Sequence, residues 1–224
     1  MSIHLFDVDY TLVKKSTAYY FLLEGFKQGV FSIRQFWRLP LEWVRYKIGL
    51  VNQDFIAQAV THLAGIDRGI MENLADAYFT RRLKPNIYTD GVRLIRSLQE
   101  KGEPVYLATS SFDTLIRPLE SWLSLPGSID SVLEFIDGKT TGRILGSVPF
   151  GKNKKNAVEA WLKERALPPE DVWFYSDSYT DLPLMEFCGH PVAVNPDHIL
   201  ERVAKRRGWP VLRFRETLGA PGVS

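Results

Sequence analysis

The chain has 224 residues, 45% of them hydrophobic, which is enough apolar content for a sizeable buried core in one or two domains. Its 28 basic and 26 acidic residues are spread along the chain to a net charge of +2, which excludes the basic footprint of a nucleic-acid-binding protein. No apolar run reaches the ~18 residues of a membrane span, and the single cysteine, Cys188, excludes an internal disulfide and fits a reducing compartment. The first residues read as a buried strand rather than a leader, so the expectation is a soluble cytoplasmic protein.

The first element is the apolar run Ile3 to Phe6, read as a strand, and directly behind it stands Asp7-Val8-Asp9-Tyr10-Thr11. Alternate residues of a strand share a face, so Asp7 and Asp9 can point to the same side where strand gives way to loop. Like charges so close are costly for folding. A cation between them would account for the pair, as would one carboxylate attacking while the other moves protons. Taken alone, the five residues also fit a surface turn that carries two acids.

Residues 16–81 differ from the rest of the chain. Phe21, Leu22, Phe26 and Val30 recur at helical spacing, as do Phe55, Ile56, Ala59, Val60 and Leu63. Leu74, Ala75, Tyr78 and Phe79 predict a further helix ending near Pro85. An all-helical block inserted after the first strand lies above the carboxyl ends of the strands, where open α/β sheets place ligands, and reads as a cap over a site. Within it, residues 36–48 are aromatic and basic. That stretch fits cap helices with outward-reaching Arg and Lys, or a peripheral contact with lipid; Pro40 argues against one continuous amphipathic helix.

Beyond Pro85 helices and strands alternate. Helices are expected over 91–101, 113–123, 155–165, 183–188 and 199–207. Strands are expected over 104–108, 132–136 with a hairpin partner at 143–145, 172–176, 191–194 and 211–213. The alternation predicts an α/β fold, a Rossmann-like parallel sheet with helices on both faces. Its core would comprise 1–15 and 82–224, its cap 16–81, with a mobile tail over 217–224.

Three more features fall at expected strand ends or helix starts. Thr109-Ser110-Ser111 closes the run 105–108, where hydroxyl and backbone N–H groups suit an anion or simply cap a helix. Lys152, Lys154 and Lys155 open a helix, where a lysine can neutralise a phosphate and a carboxylate together, or form a solvated basic turn. Asp177 and Asp181 make a second acidic pair after the run 172–175; an N-cap with a first-turn acid would look the same. Strand ends of one parallel sheet share one rim. Together the four features supply acids for a metal, a hydroxyl and a lysine, the inventory for handling a phosphate with Mg2+.

In this order and spacing the motifs resemble the haloacid dehalogenase superfamily of phosphohydrolases, in particular its phosphoserine-phosphatase-like branch (subfamily IB). The resemblance rests on Asp7-Val8-Asp9-Tyr10-Thr11, Thr109, Lys154 and the stretch Ser176-Asp177-Ser178-Tyr179-Thr180-Asp181-Leu182-Pro183-Leu184, with Gly189 to Asp197 behind it. It implies a C1-type cap and assigns roles. Asp7 would be the nucleophile that forms an aspartyl-phosphate, and Asp9 the acid and base. Thr11 would hold the loop, while Thr109 and the Ser110 N–H would bind phosphoryl oxygens. Lys154 would offset charge, with Lys152 and Lys155 as rivals. Asp7, Asp9 through its carbonyl, and Asp177 would hold Mg2+, with Asp181 behind them. Haloalkanoate dehalogenases lack the second acid, so Asp9 argues for phosphate chemistry.

The expected activity is hydrolysis of a small phosphorylated metabolite, with transfer to an alcohol acceptor as the alternative. The cap departs from true phosphoserine phosphatases, which carry a Glu where this chain has Ser16 and an Arg in a later cap helix, whereas residues 46–67 contain no Arg. Histidinol phosphate, phosphoserine and a lipid phosphate all remain candidate substrates. His62 and His190 read as structural or surface residues, and Cys188 as core filling.

Overall fold

The computed structural model describes residues 2–32 and 54–220. The aromatic-basic stretch 36–48 and residues 221–224 of the expected tail lie outside them. Seven strands form one sheet: β1 (Ile3–Phe6), β2 (Val105–Phe112), β3 (Ser128–Ile136), β4 (Lys139–Leu145), β5 (Val172–Ser176), β6 (His190–Val194) and β7 (Val211–Leu212). Their order is β4-β3-β2-β1-β5-β6-β7. All pairings are parallel except the β3–β4 hairpin.

The helices are α1 (Thr17–Lys27), α2 (Asp54–Thr61), α3 (Arg68–Tyr78), α4 (Thr89–Glu100), α5 (Asp113–Leu123), α6 (Lys152–Glu164), α7 (Leu182–Phe187) and α8 (His198–Arg207). None of them is long and apolar enough to cross a membrane. Ile95 and Leu98 of α4 and Leu115, Ile116 and Leu119 of α5 pack in one core layer with Phe6 and Leu107. Val158 and Leu162 of α6, Leu184 and Met185 of α7 and Leu200 of α8 pack on the other face with Leu5 and Phe174. The sheet is therefore covered on both sides, and β1, buried at every residue, is its centre.

Between β1 and α4 the described chain is helical. α1 and α3 join the α4–α5 layer through Phe21, which meets Tyr78 edge-on at 5.7 Å and Phe112 at 5.8 Å. Glu24 of α1 is fully buried and accepts hydrogen bonds from Arg81 Nη1 (2.9 Å) and Arg82 Nε (3.0 Å), in the π-helical turn after α3, and from Gln28 Nε2 (3.0 Å). The two crossings into and out of this helical block are stitched together: Lys14 N donates to Asn86 O (3.0 Å) and Tyr88 N to Leu12 O (2.8 Å).

A mobile tail was expected from Thr217, but its first residues are docked. Leu218 N donates to Ile87 O (3.0 Å) and Gly219 N to Pro85 O (2.8 Å), adding a third strand-like segment to the stitched crossings. Gly219 fits because a Cβ there would lie 2.8 Å from Pro85 Cβ. Composition alone cannot reveal such a partner, because it lies more than a hundred residues away in the chain.

Three other boundaries move. β2 continues through Thr109 to Phe112 instead of ending at Ala108, with a bulge against β3 that accommodates the polar residues. β3 begins at Ser128, earlier than expected, because Ser131 is an inward-facing residue whose hydroxyl donates to Ser110 O (2.9 Å). α6 begins at Lys152 rather than 155. Lysines oppose the helix dipole at that end, but one of them has buried carboxylates to meet.

Candidate active site

The sheet turns direction at β1. From it the chain runs outward through β2, β3 and β4, then returns to the opposite side of β1 as β5. The carboxyl ends of β1 and β5 flank this switch point, where an open sheet leaves a crevice. Asp7 follows β1 and Asp177 follows β5. Asp7 N still donates to Tyr175 O (2.9 Å), so the sheet register fixes the first acid. Residues 8–13 then close a tight turn, Leu12 N to Val8 O at 2.9 Å, which Tyr10 completes in the left-handed region at φ 61°.

Because the chain leaves the strand at Phe6, the strand period does not govern the two acids, and their carboxylates take different partners. Asp7 Oδ1 accepts a hydrogen bond from Lys154 Nζ at 2.8 Å. Asp9 Oδ1 accepts one from the backbone N–H of Thr17 at 2.8 Å, at the start of α1. Thr11 Oγ1, fully buried, lies 3.3 Å from Asp7 Oδ2 and 3.2 Å from Asp177 Oδ1 and shares its one proton between them.

Lys154 lies on the buried stripe of α6 with Val158 and Leu162, at four-residue steps. Lys152 is exposed, and Lys155 pairs with Glu159 on the helix surface. Of the three candidate lysines, Lys154 is therefore the one at the crevice. Its Nζ also donates to Asp181 Oδ2 at 2.8 Å, so one ammonium ties the two acids together. Thr109 is buried in β2, and the β1–β2 register, with Phe6 opposite Leu107, brings it level with Val8. Its Oγ1 accepts from Ser111 N at 3.2 Å, which leaves its proton for another acceptor.

The electrostatics follow from crowding. Burial pushes the Asp7 carboxyl up to about 7; Lys154 opposes this, while Asp181 and Asp9 add to it. Burial raises Asp9 as well, against the hydrogen bonds from Thr17. Asp177 is raised well above its ordinary value by burial and then by Asp7 and Asp181. Lys154 is desolvated, yet Asp181 and Asp7 hold it charged and raise its pKa. Among the described residues four carboxylates thus face one ammonium, which leaves them short of positive charge.

A divalent ion fits that deficit. Asp7 and Asp177 are hard oxygen donors within reach of the same hydroxyl. Among the described residues no three acidic, His or Cys side chains converge as a full cage. Two carboxylates, with the remaining positions left to carbonyl, phosphate and water, is the donor set Mg2+ ordinarily takes.

Ser176 and Thr17, of which no individual role was expected, belong to this network, as does Ser111. Ser176 Oγ donates to Asp181 Oδ2 at 2.7 Å. Thr17 holds Asp9 through its N–H, and its hydroxyl meets that of Ser111 at 2.5 Å. Hydroxyl residues carry no periodic signal; Ser176 and Ser111 stood inside singled-out stretches, and Thr17 in none. Ser16, at the position of interest in the cap, caps α1 by accepting from Tyr19 N at 3.2 Å. Cys188 is buried, and burial pushes its thiol up to about 12, consistent with packing rather than reactivity.

The family model for haloacid dehalogenase-like hydrolases matches residues 4–186. A histidinol-phosphatase of Neisseria meningitidis serogroup C is 30% identical over 94% of this chain and 98% of its own length. Phosphoserine phosphatase SerB1 of Mycobacterium tuberculosis is 29% identical over 94% of this chain and 70% of its own. Among solved structures, a protein of unknown function from Bordetella pertussis Tohama I superposes with a TM-score of 0.84 at 26% identity, covering 94% of this chain and 97% of that one.

Proposed function

This chain belongs to the haloacid dehalogenase-like hydrolases, and we propose that it is a Mg2+-dependent phosphomonoesterase that hydrolyses a small phosphorylated metabolite through an aspartyl-phosphate at Asp7. The observation that carries the reading is the shared ammonium: Lys154 holds the candidate nucleophile Asp7 and the supporting acid Asp181 at 2.8 Å each, in a buried site that is short of positive charge among the described residues.

Asp7, Asp177 and the carbonyl of Asp9 would hold Mg2+. Bound there, the ion supplies charge that lets an anionic carboxylate approach an anionic phosphate. Asp7 then attacks phosphorus through one carboxylate oxygen, forming an O–P bond as the ester O–P bond breaks. Asp9, whose carboxyl burial raises above its ordinary value, would give a proton to the leaving oxygen. It takes one back from the water that attacks phosphorus next, and Asp7 and inorganic phosphate are released. Lys154 has three N–H donors and spends two on Asp7 and Asp181, so the third can reach a phosphoryl oxygen. The Thr109 hydroxyl and the Ser110 N–H would bind the others.

The substrate is a small phosphomonoester. Relatives are named for histidinol phosphate and for phosphoserine. The neutral Ser16 hydroxyl, engaged in capping α1, offers no charge-assisted contact to a substrate amine, which speaks against phosphoserine.

Purified protein should hydrolyse p-nitrophenyl phosphate with Mg2+ and lose that activity in EDTA and in Asp7→Asn. Full activity in Asp7→Asn would refute the reading. A panel of phosphorylated metabolites with added alcohols then separates hydrolysis from phosphotransfer and identifies the leaving group.

A further inference from the structure

We infer that Ser176 is a positioning residue for this reaction, fixing the Asp181 carboxylate that holds Lys154 against Asp7; the inference rests on the catalytic reading proposed above. Ser176 is the last residue of β5 and is fully buried. Its Oγ accepts a hydrogen bond from Ser178 N at 3.2 Å and donates to Asp181 Oδ2 at 2.7 Å. A serine hydroxyl has one proton. With a backbone N–H aimed at its oxygen, that proton is directed to the carboxylate, so the strand end sets the orientation of the hydroxyl and the hydroxyl sets that of Asp181.

The same oxygen, Asp181 Oδ2, receives Lys154 Nζ at 2.8 Å. Asp181 ends the 3-10 turn Tyr179–Asp181 and is the N-cap residue of α7, yet its side chain caps no N–H of that helix, so the hydrogen bonds from Ser176 and Lys154 orient its carboxylate. Without the serine proton its carboxylate could rotate and present either oxygen to the ammonium. Lys154 would then lose the fixed point that leaves one N–H on Asp7 and another free for the phosphoryl group. The chain of contacts runs from β5 through Ser176, Asp181 and Lys154 to Asp7, and every member is buried. A purely structural account would make Ser176 a turn residue that only satisfies Ser178 N; it would predict a stability effect with no specific link to Asp181.

The test is a double-mutant cycle on the Mg2+-loaded enzyme with p-nitrophenyl phosphate, using Ser176→Ala, Asp181→Asn and the pair together. Charge-assisted hydrogen bonds of this kind predict that kcat falls about ten- to a hundredfold in Ser176→Ala. The double variant should lose no more than Asp181→Asn alone, because the serine acts through that carboxylate. Ser176→Thr, which keeps the hydroxyl, should recover activity if its methyl group is accommodated. A kcat within twofold of wild type in Ser176→Ala, or losses that multiply in the double variant, would overturn the inference. Wild-type protein inactive on every phosphomonoester would count against the proposed reaction instead. The positioning role is then read from a crystal structure of Ser176→Ala: a rotated Asp181 carboxylate with Lys154 Nζ displaced from Asp7 supports it, and an unmoved Lys154 refutes it.

Discussion

Lys154 Nζ lies 2.8 Å from Asp7 Oδ1, and this contact joins the first turn of α6 to the loop after β1, 147 residues earlier in the chain. The ammonium is buried among carboxylates that would otherwise repel one another.

Lys154→Met should therefore damage stability and activity together. Removing one partner of a buried ion pair costs about 3–5 kcal/mol, because the remaining charges are uncompensated. The loss of electrostatic stabilisation at the phosphoryl group should lower kcat by about a hundred- to a thousandfold. Chemical denaturation at two pH values checks the first part: the penalty should be larger at pH ~8 than at pH ~5, because the orphaned carboxyls escape it by taking up protons.

Metal-free protein should lose stability as pH rises from about 4 to 7. Burial, with Asp181 and Asp9 as neighbours, pushes Asp7 from its ordinary 3.8 up to about 7. In that window the folded state binds more protons than the unfolded state, so the slope of stability against pH is negative. Asp177 is raised in the same direction. Mg2+ should flatten or reverse the slope, since it competes with those protons. Asp177→Asn should raise the melting temperature in EDTA while abolishing the response to Mg2+. Melting curves across pH, with and without the ion, decide it.

Glu24 predicts the opposite behaviour at acid pH. Burial alone would raise its carboxyl, but hydrogen bonds from Gln28, Arg82 and Arg81 override that and hold it at about 2. A depressed folded pKa gives stability that is fully present above 4.5, the ordinary value, and lost as pH falls toward 2. Glu24→Gln should be less stable at neutral pH and show a flatter acid limb, measured by denaturation between those pH values.

Gly189→Ala tests the packing at the rim opposite the active site. An added Cβ would lie 2.1 Å from Glu170 O, where the Gly189 N–H already bonds Pro169 O at 2.8 Å. Backbone atoms cannot yield as a side chain can, so the variant should lose about 3 kcal/mol. Its kcat at low temperature should stay near that of wild type.

Much of the fold is legible in the sequence for a simple reason. β1 and β5 are central strands buried on both faces, and such strands read as short continuous apolar runs. Lys154 is legible because α6 repeats its buried face at Val158 and Leu162. What escapes the sequence is what depends on distant partners. Thr17 and Ser176 act through single hydrogen bonds to Asp9 and Asp181. The segment at Leu218 and Gly219 looks like a loose end until Pro85 and Ile87 are beside it. Ser128 to Ser131 hide strand β3 because their inward positions alternate Ile129 with a serine.

The most direct test of the account is to trap the covalent intermediate. Enzyme turning over a phosphomonoester with Mg2+ would be quenched, reduced with borohydride and digested. Reduction converts an acyl phosphate to an alcohol, so mass spectrometry should find homoserine in place of aspartate at position 7, dependent on substrate. An active enzyme that yields no reduced residue, or one reduced at Asp9, Asp177 or Asp181 instead, would contradict the assignment of Asp7 as nucleophile.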